Sequence, residues 1–540
     1  MTIKAQYKIL TLFFILLLSP SAFGQKQKSK VNLIHADKWN NNIKLGKNVQ
    51  RFLGNVVAKH DSTLFYSDSA FLNSKTQDLT SYGNVRIKVS DTVNLYGDSL
   101  FYNGNTRLAH VYGDVRLIDP TTILTTNYLI YNRNNSVASY PDHGKIINKQ
   151  NTLTSIMGDY NTKIKTFYFK DSVLLVNPKY TMTSDTLIYN TQTEIVTFAG
   201  PTTIVGKEDY IFAKEGWYNT ITDESRLGED AVVINKDNQI YGDSIVYNKS
   251  LGIGDIYKNA ILKDTAHDLT VMGDYVNYLK NKGFAYATDS AVAIAVDKGD
   301  TLYLHADTLR LRYDTATRKV KKMLAYNDVR FFRNDFQGQC DSLVYSYKDS
   351  TIMLYKAPIM WTGKNQMTSP DSIRITMANN ELDTLVMYNS PFMSSRDSLD
   401  NFNQVTGRLM IGYFHKNDLR KIKVFGNSQT IFFARNEDKQ LFGINKTASS
   451  NMLIILNNNQ LKSISYLNKP DGTMYPPTEL SPADLVLVGF KWFGYMRPKN
   501  KQDIFIDPKD IPAPVLSKDI KEEEIPSTKP SETNKLIPQE

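Results

Sequence analysis

The chain has 540 residues, of which 41% are hydrophobic and 22% charged, a composition that suits an apolar interior and excludes a polytopic membrane protein. Its one cysteine, Cys340, excludes an intramolecular disulfide and a multi-cysteine zinc site. The net charge of +9 favours partners that carry phosphate or carboxylate groups.

The first element, "MTIKAQYKILTLFFILLLSPSAFGQ", reads as a secretory signal peptide over residues 1–24. Lys4 and Lys8 precede an apolar run from Ile9 to Leu18, and Ala22 and Gly24 occupy the −3 and −1 positions before Gln25. The run is short for a bilayer span. No cysteine stands near the cleavage point to carry a lipid. The expected location is therefore the periplasm, free or against either membrane. Export also makes an anionic lipid or glycolipid a better partner than nucleic acid.

From residue 31 a repeat sets in, with a step of roughly 30 residues. Its first signature is a ladder: "YSDSAFLN" at Asp68, "YGDSLFYN" at Asp98, "TTNYLIYN" at Asn127, "TSDTLIYN" at Asp185 and "YGDSIVYN" at Asp243. "MGDYVNYL" at Asp274, "HADTLRLR" at Asp307, "QCDSLVYS" at Asp341 and "SPDSIRIT" at Asp371 continue it, with weaker copies at Asp159 and Glu215. A second signature runs in phase: "YGNVRI", "YGDVRL", "YKNAIL", "YNDVRF", "YKAPIM" and "YNSPFM", starting at 82, 112, 257, 326, 355 and 388.

Apolar side chains recur two and four residues after the ladder position, which is strand periodicity with one face inward. The inward set is Leu100 and Tyr102, Leu129 and Tyr131, Leu187 and Tyr189, Ile245 and Tyr247, Val276 and Tyr278, Leu309 and Leu311, and Leu343 and Tyr345. Asn-, Gly- and Asp-rich connections such as "YNGNTR", "YNRNNS" and "LIDPTT" are hairpin turns, so neighbouring strands are antiparallel. Gly97, Gly113, Gly242 and Gly273, inside strand-like runs, are expected to mark bends at which the sheet folds over. The expected fold is all-β: an extended antiparallel jellyroll, a folded V-shaped sheet of about ten to twelve repeats, open at both ends. Its first part spans 31–245, its second 246–400, and a C-terminal β segment 401–500. The charged, Pro-rich stretch 501–540 reads as a disordered tail.

Candidate chemistry is sparse. A catalytic Asp is normally unique, so the repeated Asp reads as a turn-bonding structural residue. The histidines, His35, His60, His110, His143, His267, His305 and His415, show no metal-ligand spacing. "GPTTIVGKED" at 200–209 misses the phosphate-loop pattern in glycine position and in Glu208. No catalytic residue, metal site or cofactor is assigned. Arg86, Arg116 and Arg330, following the second signature, are candidate phosphate contacts or else charges that guard strand edges.

The "YGDSLFYN…LAHVYGDVRL" cadence after a signal peptide resembles the OstA-like (organic solvent tolerance) superfamily. That group includes the lipopolysaccharide bridge protein LptA and the N-terminal domain of LptD. "NQVTGRLMIGYFHKNDLRKIKVFGNSQTIFFA" at 403–434 and "ILNNNQLKSISYLNKPDGTMYPPTEL" at 455–480 are similar to the later part of larger members, so the resemblance covers 31–495. It implies a jellyroll whose interior carries the acyl chains of lipid A, here along the Leu/Tyr ladder. It also implies edge-to-edge β-augmentation with other Lpt-type jellyrolls or with itself, and an outer-membrane barrel as a further partner. The chain is much longer than the bridge protein and lacks room for a large C-terminal barrel. A packed core with no lipid cargo, serving an interaction protein of outer-membrane assembly, is the rival reading. An enzyme acting on glycans would need clustered carboxylates, whereas the acids here are spread along the chain.

Overall fold

The computed structural model describes residues 29–512 except 41–45, 237, 266–267, 298–299, 318, 380, 399–400, 437 and 458–459. The signal peptide expected over 1–24, His267 and the tail beyond 512 lie outside the described residues. These form 36 β-strands and a few 3-10 turns, so the fold class is all-β, an antiparallel jellyroll. The chain divides into two compact units, Met1–Leu227 and Gly228–Glu540.

In the first unit, long strands such as Thr63–Asn73, Asp78–Lys88, Asn94–Asn103 and Leu108–Asp119 pair in chain order, each pairing broken near its middle by a register shift. The meaning of the shift is visible where strands are interrupted. Thr122–Asn132 pairs through its first half with Gly144–Asn148 and through its second half with Val137–Tyr140. The two layers rejoin in Thr166–Asn177, whose halves take Met157–Asn161 and Asn151–Ser155. The sheet is thus two leaves hinged along a line of bulges. We call the leaf holding Leu100 and Tyr102 the first leaf and the leaf holding Leu95 and Leu117 the second. Inward residues of both are buried: Leu100 is 1% exposed and Leu117 0%.

The hinge corrects one sequence expectation. Of Gly97, Gly113, Gly242 and Gly273, only Gly113 has a left-handed backbone (φ 73°). The left-handed residues come in pairs, and in the second signature: Gly83–Asn84, Gly113–Asp114, Lys258–Asn259, Asn327–Asp328, Lys356–Ala357 and Asn389–Ser390. Each pair follows the tyrosine of its copy. Asn, Asp and Gly tolerate this conformation best, which explains their recurrence there. Gly97 and Gly242 answer a different need, because a Cβ would meet Val111 Cγ1 at 2.5 Å and Ile256 Cγ2 at 2.4 Å. The ladder Asp docks on the corner of the following strand. Asn84 Nδ2 donates to Asp68 at 2.8 Å and Asn259 Nδ2 to Asp243 at 3.2 Å, while Asp98 lies against Gly113.

The second unit repeats this plan from Asn238–Asn248 to Leu441–Asn457, with interrupted strands between residues 351 and 415. The β segment expected over 401–500 ends at Tyr475. Pro476, Pro477 and Pro482 follow, and proline cannot donate to a ladder. Residues 480–507 then run back as a strap across the outer face of the second leaf. Gln404 grips it by donating to the Leu485 carbonyl (2.8 Å) and accepting from the Leu487 amide (2.9 Å). Gln366 does the same with Lys491 and Phe493 at 2.8 and 2.6 Å. Leu480, Leu485 and Leu487 pack on Ile431, Phe433 and Ile444, and Ile504 is 1% exposed. The stretch 501–512, expected to begin the tail, therefore has defined contacts.

Within each unit the terminal edges are open among the described residues. Asn32–His35 and Lys38–Asn40 pair with Val49–His60, and Gln460–Leu467 and Asp471–Tyr475 pair with Leu441–Asn457.

Candidate functional site

The ladder residues Leu100, Tyr102, Leu129, Tyr131, Leu187 and Tyr189 line the inside of the first unit, and Ile245, Tyr247, Val276, Tyr278, Leu309, Leu311 and Leu343 that of the second. All are at most 6% exposed, while Tyr345 is half-buried. They meet the opposite leaf as packed neighbours. Phe65 and Tyr102 rings lie 4.6 Å apart across the leaves, and within the first leaf Tyr160 stacks on its cross-strand partner Phe167 at 4.0 Å. Around Leu304, Phe331, Leu343 and Ile375 only a residual cavity of about 10 Å³ remains.

The tyrosines have a role that alternation alone did not reveal. They sit at the tips of the first leaf, and their hydroxyls bridge to buried polar groups at the tips of the second. Tyr102 meets His60 Nδ1 at 2.6 Å and accepts from Arg133 at 2.6 Å. Tyr160 donates to Asp119 at 2.8 Å, and Asp119 also pairs with Lys165. Tyr189 donates to Asn148 at 2.8 Å and lies 2.6 Å from Glu194, which is paired with Lys149. In the second unit Asn238 donates to Tyr278 at 3.0 Å. These bonds close the mouth between the leaves. Burial pushes the phenols of Tyr102, Tyr160 and Tyr189 up, so they remain neutral donors. Burial pushes His60 below its ordinary value. The "GDSLFYN" spacing holds the signal for this latch: a phenol at the last inward position before the turn.

One site escaped sequence reasoning. Near the C-terminal end of the second unit the leaves border a half-open cavity of about 600 Å³. Met393, Val405, Phe432, Ala434, Ile454, Leu456, Leu461 and Ile464 supply its apolar wall. Its rim carries Lys364, Arg396 and the Arg435–Asp397 pair at 2.6 Å. That volume falls in the range of ligand sites. The lining comes from five strands brought together by pairing, which no local pattern reports.

The three arginines part company. Arg86 and Arg116 share a cross-strand row on the outer face of the second leaf, with Tyr96 between them. Each stacks over a tyrosine, Arg86 on Tyr66 at 5.3 Å and Arg116 on Tyr96 at 5.9 Å. Arg116 also borders a shallow depression of about 880 Å³ with His143, Lys145 and Asp114. Arg330 is 2% exposed beneath the strap, donating to the carbonyls of Met496 (3.1 Å) and Ile506, so in this conformation it is spent internally. Cys340 is buried, which pushes its thiol up to about 12 and leaves it unreactive. Among the described residues no group of three or more His, Cys, Asp or Glu is placed to hold a metal ion. No helix among them is long and apolar enough to cross a membrane.

Residues 28–185 match the family model described as OstA-like protein. The resemblance read from the repeats is shown over that span, under a third of the chain. Among solved structures, the chain is similar to LptH of Pseudomonas aeruginosa, the LptA homologous periplasmic component of a lipopolysaccharide transport device. The identity is 18%, over 19% of this chain and 76% of that one, with a TM-score of 0.17. No curated protein matches the chain.

Proposed function

We propose that this chain is a periplasmic, non-enzymatic protein of lipopolysaccharide transport that binds lipid A acyl chains between the two leaves of its jellyroll. The observation that carries the reading is the OstA-like match over 28–185, laid on a two-leaf sheet whose inside, within each unit, is lined by the Leu/Tyr ladder. Acyl chains would slide along Leu100, Leu187 and Leu309 and their neighbours with no covalent step. The cavity bounded by Phe432 and Ile454 is the place where the leaves already stand apart. Elsewhere the leaves would have to part, which requires the tyrosine latch to open. The exposed terminal strands suit edge-to-edge pairing with other jellyrolls of this type or with a second copy, and an outer-membrane barrel is a further partner.

A second reading has its own support. The near-complete burial of the ladder favours a packed core that carries no lipid, with function in the edges alone. Photo-crosslinkers at Leu100, Leu187, Leu309 and Phe432 separate the two. The transport reading expects lipid A adducts at Phe432 and at one or more ladder positions in cells, and lipid retained in native mass spectra. Adducts at outward control positions alone, with no co-purified lipid, would establish the packed core.

A further inference from the structure

We propose that the outer face of the first leaf in the second unit is a docking surface for an anionic lipid bilayer. The proposal goes beyond lipid cargo and does not depend on it.

Strand register assembles the surface. One outward cross-strand row contains Arg310, Arg374 and Lys423, and the adjoining row contains Arg312, Lys322 and Lys421. The six cations span eight neighbouring strands, a band about 34 Å long at the usual inter-strand spacing. Five are exposed and Lys421 is half-buried. None is in an ion pair among the described residues. The nearest acids stand at strand ends and turns, where Asp314 pairs with Lys321 and Asp418 with Arg420, and where Asp349, Glu381 and Asp383 lie. The outward rows nearest the hinge and between it and the turns hold one carboxylate, Asp255, which is engaged by Tyr275 (2.6 Å) and Asn277 (2.7 Å).

The corresponding rows of the first unit lack this character. They hold Lys38, Arg51 and Lys170 against Asp78, Asp159 and Glu215. Of the two first leaves, the basic band is therefore particular to that of the second unit; the first unit carries its own shorter basic row, Arg86, Arg116 and Lys145, on the outer face of its second leaf.

The chemistry between the cations selects the occupant. Leu324, Val344, Met353 and Ile411 stand half-buried in the same row as Arg310 and Arg374, and Tyr413 lies under Lys421 and Lys423 at 4.4 and 5.8 Å. A flat band of spaced cations with apolar side chains between them matches a plane of phosphate headgroups, to which each basic residue adds attraction. Opposite this band the outer face of the other leaf is covered by the strap, so the basic face is the one left open there.

The test is co-sedimentation of the exported chain with phosphatidylcholine vesicles, with and without phosphatidylglycerol. We expect binding to the anionic vesicles alone, weakening as salt is raised. Replacing all six cations by glutamine is expected to lower the affinity at least about tenfold. The pair Lys421→Gln and Lys423→Gln should lower it by a smaller factor, and it serves as the second variant if the sextuple fails to fold. Neutralising Arg86, Arg116 and Lys145 in the first unit should leave binding within about twofold. The proposal is overturned if the chain ignores anionic vesicles, binds neutral ones equally, or keeps its affinity in both variants. Displacement by inorganic phosphate far beyond that by chloride at equal ionic strength would also overturn it, since the face would then be a discrete phosphate site.

Discussion

Single residues at the hinge show two different reasons for a glycine. Gly113 is held left-handed at φ 73° with Asp98 against it, whereas Gly97 is confined by Val111. Gly113→Ala should cost about 1–2 kcal/mol, and removing Asp98 in addition should recover little, because the backbone strain remains. Gly97→Ala should cost a similar amount, yet Val111→Ala in the same chain should relieve part of it. Urea unfolding of the two double-mutant cycles decides this, and equal rescue in both would contradict the distinction. His60 offers a pH test. It faces Tyr102, Arg133, Arg107, Asp61 and Ser29, and burial, then the nearby arginines, hold its pKa below 6.5 against the opposing pull of Asp61. The unfolded chain therefore binds the extra proton first, so stability is present above pH 6.5 and falls as the pH drops through and below that value. His60→Gln should flatten this loss in thermal melts between neutral and mildly acidic pH. An unchanged slope would show that other groups govern it.

Among elements, the strap has the most definite attachment. Gln366 and Gln404 each hold it by a donor and an acceptor to backbone, a pattern indifferent to strap sequence but dependent on both amides. Gln366→Ala with Gln404→Ala removes four such bonds, each worth about 0.5–1.5 kcal/mol net. Hydrogen exchange should then speed up at the Leu487 and Phe493 amides and across 480–507, with the strands of the first unit unaffected. Protection that survives in the double variant would mean that Leu485, Leu487 and Ile504 alone anchor the strap.

At the scale of the whole molecule, the interior is filled unevenly. Ala109 is 0% exposed between Tyr102 and Tyr131 in the first unit, while Ala434 borders the cavity of about 600 Å³ in the second. Ala109→Phe should cost about 1–3 kcal/mol or more through overpacking, and Ala434→Phe should be close to neutral. If the cavity holds acyl chains, Ala434→Phe should also reduce lipid A crosslinking at Phe432 while leaving the melting temperature nearly unchanged. Equal destabilisation at the two sites would show that the cavity is not open space. Charge is uneven as well: corner carboxylates such as Asp68, Asp98 and Asp243 follow the hinge, and six cations outside any ion pair among the described residues stand on the outer face of the second unit's first leaf.

Much of the architecture was already present in the chain as written. Period-two alternation set which side chains face inward, because a one-residue slip would expose all of them. The phased signatures set the strands, turns and repeat, and Leu100, Tyr102 and Leu309 lie inside as their spacing required. What local pattern could not decide was anything made by residues far apart. The left-handed pairs were written as Asn, Asp and Gly after each tyrosine, but only the register shifts show that the hinge runs through them. The tyrosine hydroxyls looked apolar in sequence because their partners, His60, Asp119 and Asn148, come from the other leaf. Arg330 shares its motif with Arg86 and Arg116, yet a strap 166 residues downstream buries it. The basic band depends on strand register alone, since Arg310 and Lys423 become neighbours in a row only when the strands between them pair.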